Sequence, residues 1–342
     1  MGVMCQILLD RTEDGVFKAG GLVTGTLKYF IDEPTQYEKI SMCFLGKGQC
    51  YWSEKNNNSD NISDTTSYSN SEEYVNQTVN LYLGTNKQDL ISGTFEYPFQ
   101  FLLPNDIPPS FKDGTCTIRY KITVTFVKQN FLKTNNEFDV EIPVMSYVNP
   151  CSPEPLIFSL KKDLFSFKLS RTIELKGEIR KTCVAPGDNF EMTLTVNNNS
   201  NLSIFIKTEL VYRVTYISSC NHKNFGGHIV KDTSTMSPIA ANGVENLICV
   251  VPTLQNVYSI QHTKVMIREY RVRVTFKLPF PHINAVLEIP VTVGLRKHEL
   301  LVPAVVYDQN EEESPPSYSS ISTQNDNKGN EGEDFRKLEQ RT

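Results

Sequence analysis

Apolar and polar residues alternate with a period of two along most of the chain. In VTGTLKY (residues 23–29), for example, Val23, Leu27 and Tyr29 share one face, and threonine and lysine side chains share the other. One buried face and one solvated face are typical of strands in antiparallel sandwich sheets, and no long segment has a convincing 3.6-residue period. The pattern therefore predicts an all-β chain. The same alternation recurs in YKITVTF (120–126), FEMTLTV (190–196) and YRVRVTF (270–276).

Three sequence landmarks occur twice in the same order, about 150 to 170 residues apart. A single match of this kind could arise by chance, whereas three in order indicate one type of domain used twice. The matched pairs are FKAGGLVTGTLKY with CVAPGDNFEMTLTV, YKITVTF with YRVRVTF, and EIPV at 141–144 with EIPV at 288–291.

The repeat predicts a first β-sandwich at 1–148 and a second at 156–298. Residues 149–155 contain three prolines and suit a short linker. The Asn/Ser/Asp-rich segment 53–74 offers little to bury, so we predict that it is a mobile polar loop between strands. The tail, 299–342, is predicted to be disordered because its last 35 residues hold only four large apolar side chains.

Charge and cysteine content narrow the functional class. Residues 308–342 hold nine acidic and four basic residues, a net charge of −5. This is also the net charge of the whole chain, so acidic and basic residues are equal in number over residues 1–307. Without a basic excess, nucleic-acid binding is not expected. No apolar run approaches the roughly 18 residues needed to cross a bilayer, and the first residues lack a secretory signal or a complete myristoylation motif. The eight scattered cysteines then indicate reduced thiols in a cytoplasmic protein.

No arrangement of residues predicts catalysis, a cofactor or a small-molecule substrate, so the chain is not predicted to be an enzyme. The five histidines lie beside no nucleophile motif, and phosphate-binding and zinc-protease motifs are absent from the sequence. Cys220, His222 and His228 could imitate a metal site, but they lack a fourth ligand and the usual spacing. A β-hairpin loop with polar tips is the preferred interpretation.

A group of three arginines, Arg268, Arg271 and Arg273, lies near one predicted strand. Such a group could bind acidic cargo or lipid head groups. A solvated strand face is the preferred interpretation, because cationic side chains commonly occupy the wet face of a half-buried strand.

The first domain carries several motifs in order: VFKAGGLVTGTLKY, then CFLGKGQCYWSE with a later EEY, then GTFEYPFQFLLPNDIPPSFKDGTCTIRYKITVTF. It resembles the arrestin N-terminal domain of the α-arrestins, the arrestin-domain-containing proteins. Residues 156–296 resemble the arrestin C-terminal domain more loosely, through Ala185-Pro186-Gly187 and the closing EIPVTVG. The resemblance covers about 295 residues and implies two tandem arrestin-type antiparallel β-sandwich domains. Its most specific signature is Gly93, Tyr97, Pro98, Phe99, Phe101, Leu103, Pro104, Pro109, Ser110, Phe111, Gly114, Ile118, Arg119 and Tyr120.

The acidic tail contains a Pro-Pro-x-Tyr motif formed by Pro315, Pro316 and Tyr318. Consecutive prolines preform a polyproline II helix, which the aromatic grooves of WW domains accept, and a second pocket takes the tyrosine. We therefore predict WW-domain binding at these three residues. A near copy, the internal Pro-Pro-Ser-Phe segment at 108–111, lies between predicted strands and lacks the hydroxyl, so it is predicted to be a structural turn.

The family resemblance implies an adaptor. Its arrestin domains would contact the cytoplasmic regions of membrane receptors or transporters, and the tail motif would recruit a HECT-type ubiquitin ligase. Ubiquitination would then direct the cargo into endocytosis and protein transport, with the adaptor recruited peripherally to the plasma membrane and endosomes. An alternative is an arrestin-fold structural sorting or coat subunit of endosomal trafficking that acts without a ligase. An extracellular adhesion sandwich would need a signal peptide and paired cysteines.

Overall fold

The computed structural model describes residues 2–56, 64–84, 90–128, 135–149, 151–164 and 171–297. Within these ranges the first domain contains ten strands. They are β1 (Val3–Leu9), β2 (Phe17–Lys18), β3 (Leu22–Thr35), β4 (Tyr37–Asn56), β5 (Asp64–Leu83), β6 (Ile91–Leu102), β7 (Phe111–Lys112), β8 (Cys116–Lys128), β9 (Asn136–Glu141) and β10 (Val144–Met145).

These strands form a sandwich of two antiparallel sheets. One sheet has the order β1-β3-β6, and the other has the order β5-β4-β8-β7 with β9 paired to β8. A short parallel pair, β10 with β2, ties the end of the domain to its beginning. The chain therefore closes the first domain before the second begins.

The described part of the second domain contains another ten strands, arranged as a second sandwich. One sheet has the order β11-β12-β14-β18, and the other has the order β13-β20-β19-β15-β16 with β17 paired to β15. The strands are β11 (Leu156–Leu164), β12 (Arg171–Ile179), β13 (Cys183–Val184), β14 (Asn189–Asn199), β15 (Ile204–Ile217), β16 (Lys223–Ile229), β17 (Thr235–Ile239), β18 (Val244–Pro252), β19 (Met266–Lys277) and β20 (Ala285–Val293).

The repeated heptapeptide lies at the same place in both sandwiches. In the first domain it forms the middle of β8, which pairs with the long strand β4, and in the second it forms the middle of β19, which pairs with β15. The first, third, fifth and seventh side chains of each copy are buried because alternate residues face the core. The all-β prediction is confirmed. Throughout the described residues there is no helix, and hence none that is long and apolar enough to span a bilayer.

The prediction of a mobile polar loop at 53–74 was wrong for most of that segment. Residues 53–56 extend β4 and residues 64–74 begin β5. The two strands pair antiparallel without interruption from Ser53 opposite Ser67 to Asn56 opposite Asp64. Residues 57–63 lie outside the described residues. Two partly buried tyrosines on β5, Tyr68 and Tyr74, pack against the first core. Backbone pairing and these two rings stabilise a long hairpin whose other side chains are mostly polar.

Each sandwich has its own hydrophobic core, yet residues 2–297 form one compact unit. The first core is completed by four buried side chains of the second domain: Val214, Ile260, Val265 and Met266. Full burial of an apolar side chain of this size contributes about 1.5–3 kcal/mol. The second domain therefore stabilises the first through shared core packing.

Candidate functional site

The predicted WW-domain motif at 315–318 lies outside the described residues. Its internal near copy lies in the loop after β6 and ends at the first residue of β7, and both of its prolines are buried. The phenol of Tyr120 donates a hydrogen bond to the carbonyl of Pro108 at 2.7 Å. From the second domain, Tyr258 Oη donates to the carbonyl of Ser110 at 2.8 Å. This segment is thus built into the fold between strands, as predicted, and contacts the second domain.

The three arginines predicted to share a strand face do not share one. Arg268 lies on the inner face of β19, with its guanidinium 4.7 Å from the ring of Tyr212, 5.3 Å from that of Tyr270 and 5.8 Å from that of Phe111 in the first domain. Its Nε is buried and has no hydrogen-bond partner among the described residues. The solvated-face interpretation was therefore wrong for Arg268, which a cage of aromatic rings holds at the domain interface.

The other two arginines lie on the outer face of β19 and are paired with carboxylates. Arg273 contacts Glu288 at 2.8 Å and Glu209 at 3.8 Å, and Arg271 contacts Glu288 at 3.2 Å. The hydrogen bond from Arg273 holds the pKa of Glu288 below its ordinary value. This pairing supports the preferred interpretation, a strand face, over a free anion-binding site for these two residues.

The three metal-ligand candidates lie in different parts of a β-hairpin. Cys220 and His222 belong to the turn between β15 and β16, and His228 lies six residues beyond His222 near the far end of β16. Six residues of extended strand separate two positions by about 20 Å. Within the described ranges no group of three or more metal-ligating side chains occurs. The hairpin interpretation is supported, and the metal alternative is not.

His222 instead contacts the first domain. Its Nε2 lies 3.0 Å from Glu54 Oε2 on β4, and its ring stacks on Tyr68 with 4.1 Å between ring centroids and a 12° interplanar angle. Trp52 completes the contact, 5.5 Å from Tyr68 and 6.4 Å from His222. The outer part of the β4–β5 hairpin therefore reaches across to the second domain.

A second set of contacts follows along β5. Asn70 Nδ2 donates hydrogen bonds to the carbonyls of Ile217 at 3.0 Å and Lys264 at 3.1 Å. Glu72 Oε2 accepts from the backbone N–H of Lys264 at 2.6 Å and from Thr263 Oγ1 at 3.1 Å. We call this contact the interdomain clasp: residues 50–54 and 68–74 of the hairpin against 216–222 and 261–265 of the second domain.

The clasp was missed because its residues are polar and lie in or beside the segment interpreted as a loop. Tyr74 belongs to it as well, since its hydroxyl is hydrogen bonded to Thr263 Oγ1 at 2.7 Å and burial raises the pKa of its phenol. The tyrosines at 68 and 74 lie an even number of residues apart, so they share one strand face. That spacing is the one signal in the sequence that could have indicated a strand here.

A groove of about 1010 Å³ lies over the outer face of β4, β5 and β8. Three cations, Lys47, Arg119 and Lys121, line it, and no carboxylate does. Arg119 is paired with Glu141 at 3.1 Å, at the edge of the sheet. Such a surface suits a polar or acidic segment of another protein. The other lining residues are Leu45, Gln49, Cys50, Tyr51, Ser69, Asn70, Ser71, Thr115, Thr117 and Ser219.

Comparison with known proteins agrees with this architecture. Residues 5–149 match the family described as arrestin (or S-antigen), N-terminal domain, and residues 169–298 match the corresponding C-terminal domain. Human arrestin domain-containing protein 5 is 21% identical over 207 residues, which cover 60% of this chain and 60% of that protein. The match thus spans less than two thirds of that relative's length.

The fold and these matches define a protein with two tandem arrestin domains. The chain belongs to the α-arrestin family, the arrestin-domain-containing proteins.

Proposed function

We propose that this protein is a non-enzymatic trafficking adaptor that links membrane cargo to a WW-domain HECT-type ubiquitin ligase. The observation that carries the proposal is the combination, on one chain, of two arrestin domains and a downstream Pro-Pro-x-Tyr motif. An adaptor of this kind needs no catalytic residue. Holding two partners on one chain raises the effective concentration of one at the other, to the millimolar range for a short flexible connection.

The tail motif is assigned to the ligase. Pro315 and Pro316 supply the polyproline II segment and Tyr318 supplies the ring and hydroxyl for the second pocket. The near copy at 108–111 cannot substitute for it, because its prolines are buried and its carbonyls accept hydrogen bonds from two tyrosines. Only one Pro-Pro-x-Tyr motif is present in the sequence, so ligase capture should depend entirely on it.

The groove over β4, β5 and β8 is assigned to the cargo, a cytoplasmic segment of a receptor or transporter. Lys47 and Lys121, together with Arg119, which is paired with Glu141 at the edge of the sheet, favour a segment that carries acidic or phosphorylated side chains. Rim charges of this type mainly affect association rate and salt dependence. Cargo capture should therefore weaken as ionic strength rises.

The ligase assignment is tested by capture of the purified full chain on isolated WW domains. Tyr318→Ala should abolish capture, because the tyrosine pocket is left empty, whereas Tyr307→Ala, a tyrosine of the same tail outside the motif, should leave it intact. Undiminished capture of Tyr318→Ala would refute the assignment. A circular dichroism spectrum identical to wild type would show that the fold is unaffected.

The cargo assignment is tested with Lys121→Glu, which reverses a charge in the groove, and with Lys161→Glu as its control on the second domain. Only the first variant should lose cargo in cells, and both should still bind WW domains. The alternative, a sorting or coat subunit, predicts a different result. In that case deletion of 308–342 would leave cargo transport unchanged.

A further inference from the structure

Two buried cysteines of the first domain are direct cross-strand partners. Cys50 on β4 lies opposite Cys116 on β8. The backbone hydrogen bond between the two strands is made by the neighbouring residues: the N–H of Tyr51 donates to the carbonyl of Thr115 at 2.9 Å. The carbonyl of Cys116 instead accepts from the N–H of Asp113 at 2.9 Å and so does not bond to β4. The cysteines therefore occupy a non-hydrogen-bonded pair, in which Cα atoms lie about 4.5 Å apart. That separation falls within the range of disulfides.

The domain interface covers both thiols. Their residues are 3% and 1% exposed, and both are free cysteines. The Cys50 thiol donates a hydrogen bond to the carbonyl of Ile217 in the second domain at 3.4 Å. Beside Cys116, Tyr216 of the second domain donates to Asp113 Oδ2 at 2.6 Å. Burial raises the pKa of both thiols, so in this closed arrangement they stay protonated and away from water.

We propose that Cys50 and Cys116 are a peroxide-sensitive dithiol that becomes a disulfide only while the interdomain clasp is open. Opening removes the Ile217 carbonyl and its neighbours from the Cys50 sulfur and admits water. The two sulfurs are already in register on adjacent strands, so no strand has to move for them to join. The disulfide thus records an opening of the two domains.

The chemistry is a two-electron oxidation by hydrogen peroxide. One thiol, as its thiolate, attacks a peroxide oxygen, the O–O bond breaks, and a sulfenic acid and water are formed. The second thiol attacks the sulfenic sulfur, which forms the S–S bond and releases a second water. In sum, two thiols and one hydrogen peroxide give one disulfide and two waters. A cellular thiol reductant such as glutathione reverses the reaction by thiol–disulfide exchange.

An exposed cysteine supplies an internal reference. Cys220 in the β15–β16 turn is exposed, and its hydrogen bond with Ser218 lowers the pKa of its thiol. Its oxidation should not require the interface to open, and no cysteine lies opposite it in the paired strands. Its sulfenic acid therefore reports that peroxide was active in the same sample.

The experiment treats the full chain with hydrogen peroxide, alkylates remaining thiols, digests without reduction and detects linked peptides by mass spectrometry. We expect a Cys50–Cys116 peptide that Cys116→Ser abolishes. Asn70→Ala removes two hydrogen bonds of the clasp and should raise the rate of linkage about fivefold or more, the factor for roughly one hydrogen bond. Asn76→Ala, on the same strand but bonded within the first domain, should leave the rate unchanged.

Two outcomes would overturn the proposal. One is the absence of the linked peptide when Cys220 is fully oxidised in the same sample. The other is an equal rate of linkage in Asn70→Ala and Asn76→Ala. If Asn70→Ala does not fold, as judged by circular dichroism, Thr263→Val replaces it, because that change removes the hydroxyl that joins Tyr74 and Glu72 to the second domain.

Discussion

Two adjacent glutamates on β5 provide a matched test of the interdomain clasp. Glu72 faces the second domain and accepts hydrogen bonds from the N–H of Lys264 and the hydroxyl of Thr263. Glu73 faces the other side of the sheet and accepts from Asn76 at 3.2 Å, within the first domain. Glu72→Gln and Glu73→Gln remove the same charge from neighbouring positions, so any difference between them reports the contact with the second domain.

The expected magnitude follows from the two hydrogen bonds that Glu72 accepts. A hydrogen bond to a charged group contributes about 1.5–3 kcal/mol, and a neutral one about 0.5–1.5 kcal/mol. Glutamine keeps one acceptor oxygen, and Lys264 is exposed enough for water to replace part of the loss. We therefore expect Glu72→Gln to weaken the clasp by about 1 kcal/mol, a factor of about five in its opening equilibrium.

The assay is amide hydrogen exchange, which measures local opening. The N–H of Lys264 should exchange about fivefold faster in Glu72→Gln than in wild type, and it should be unchanged in Glu73→Gln. Amides in the middle of β19 should exchange alike in all three proteins, because they lie in the second core. Equal exchange of Lys264 in the two variants would refute the assignment of Glu72 to the clasp.

The remaining predictions concern stability. Asn198 is fully buried and is hydrogen bonded to two carbonyls and to Ser200. Asn198→Ala should therefore lower the free energy of unfolding, measured by denaturant titration, by about 3 kcal/mol. The control Asn199→Ala, at the exposed neighbouring position, should have almost no effect. Gly46→Ala places a methyl group against the Tyr120 ring, closer than a carbon–carbon contact allows, and should lower the free energy of unfolding by about 1–3 kcal/mol. An unchanged denaturation midpoint would contradict this packing. The pKa of Glu288 is lowered in the folded state, so its carboxylate stabilises the fold above about pH 4.3, the ordinary glutamate pKa. This stabilisation is lost as the pH falls through the lower pKa that Glu288 has in the folded protein. Glu288→Gln should thus be less stable than wild type at pH 7 and lose less stability on acidification, and parallel pH profiles would contradict the pairing.

The sequence was sufficient to predict the sheets and the repeat. Alternation of apolar residues depends on the local geometry of a strand, so the inward faces of β3, β8, β14 and β19 follow directly from it. The two heptapeptides 120–126 and 270–276 lie in equivalent strands because every second residue of each, four in all, places its side chain in the core. The family resemblance added that the strands form two tandem sandwiches, whereas the order in which the strands pair is not contained in the alternation.

The clasp could not be predicted in the same way, because its stability comes from partners distant in sequence. Asn70 and Glu72 bind residues nearly 200 positions later, and Glu54 binds His222 at a separation of 168. A polar composition indicates a loop only when no such partner exists. Arg268 illustrates a smaller error, since its even spacing from Tyr270 places it on the inner face, opposite to Arg271 and Arg273.

The last described residues of the chain are fixed at the junction of the two sandwiches. Leu295 forms a parallel bridge with Tyr147, and Lys297 Nζ donates to Asn105 Oδ1 at 3.1 Å. Pro315 lies eighteen positions after Lys297, and covalent geometry limits such a length to about 60 Å. Under the proposed function, the WW domain of a ligase bound at the proline motif would therefore stay within that distance of the junction of the two sandwiches, and the ligase's own dimensions would decide which cargo lysines it reaches.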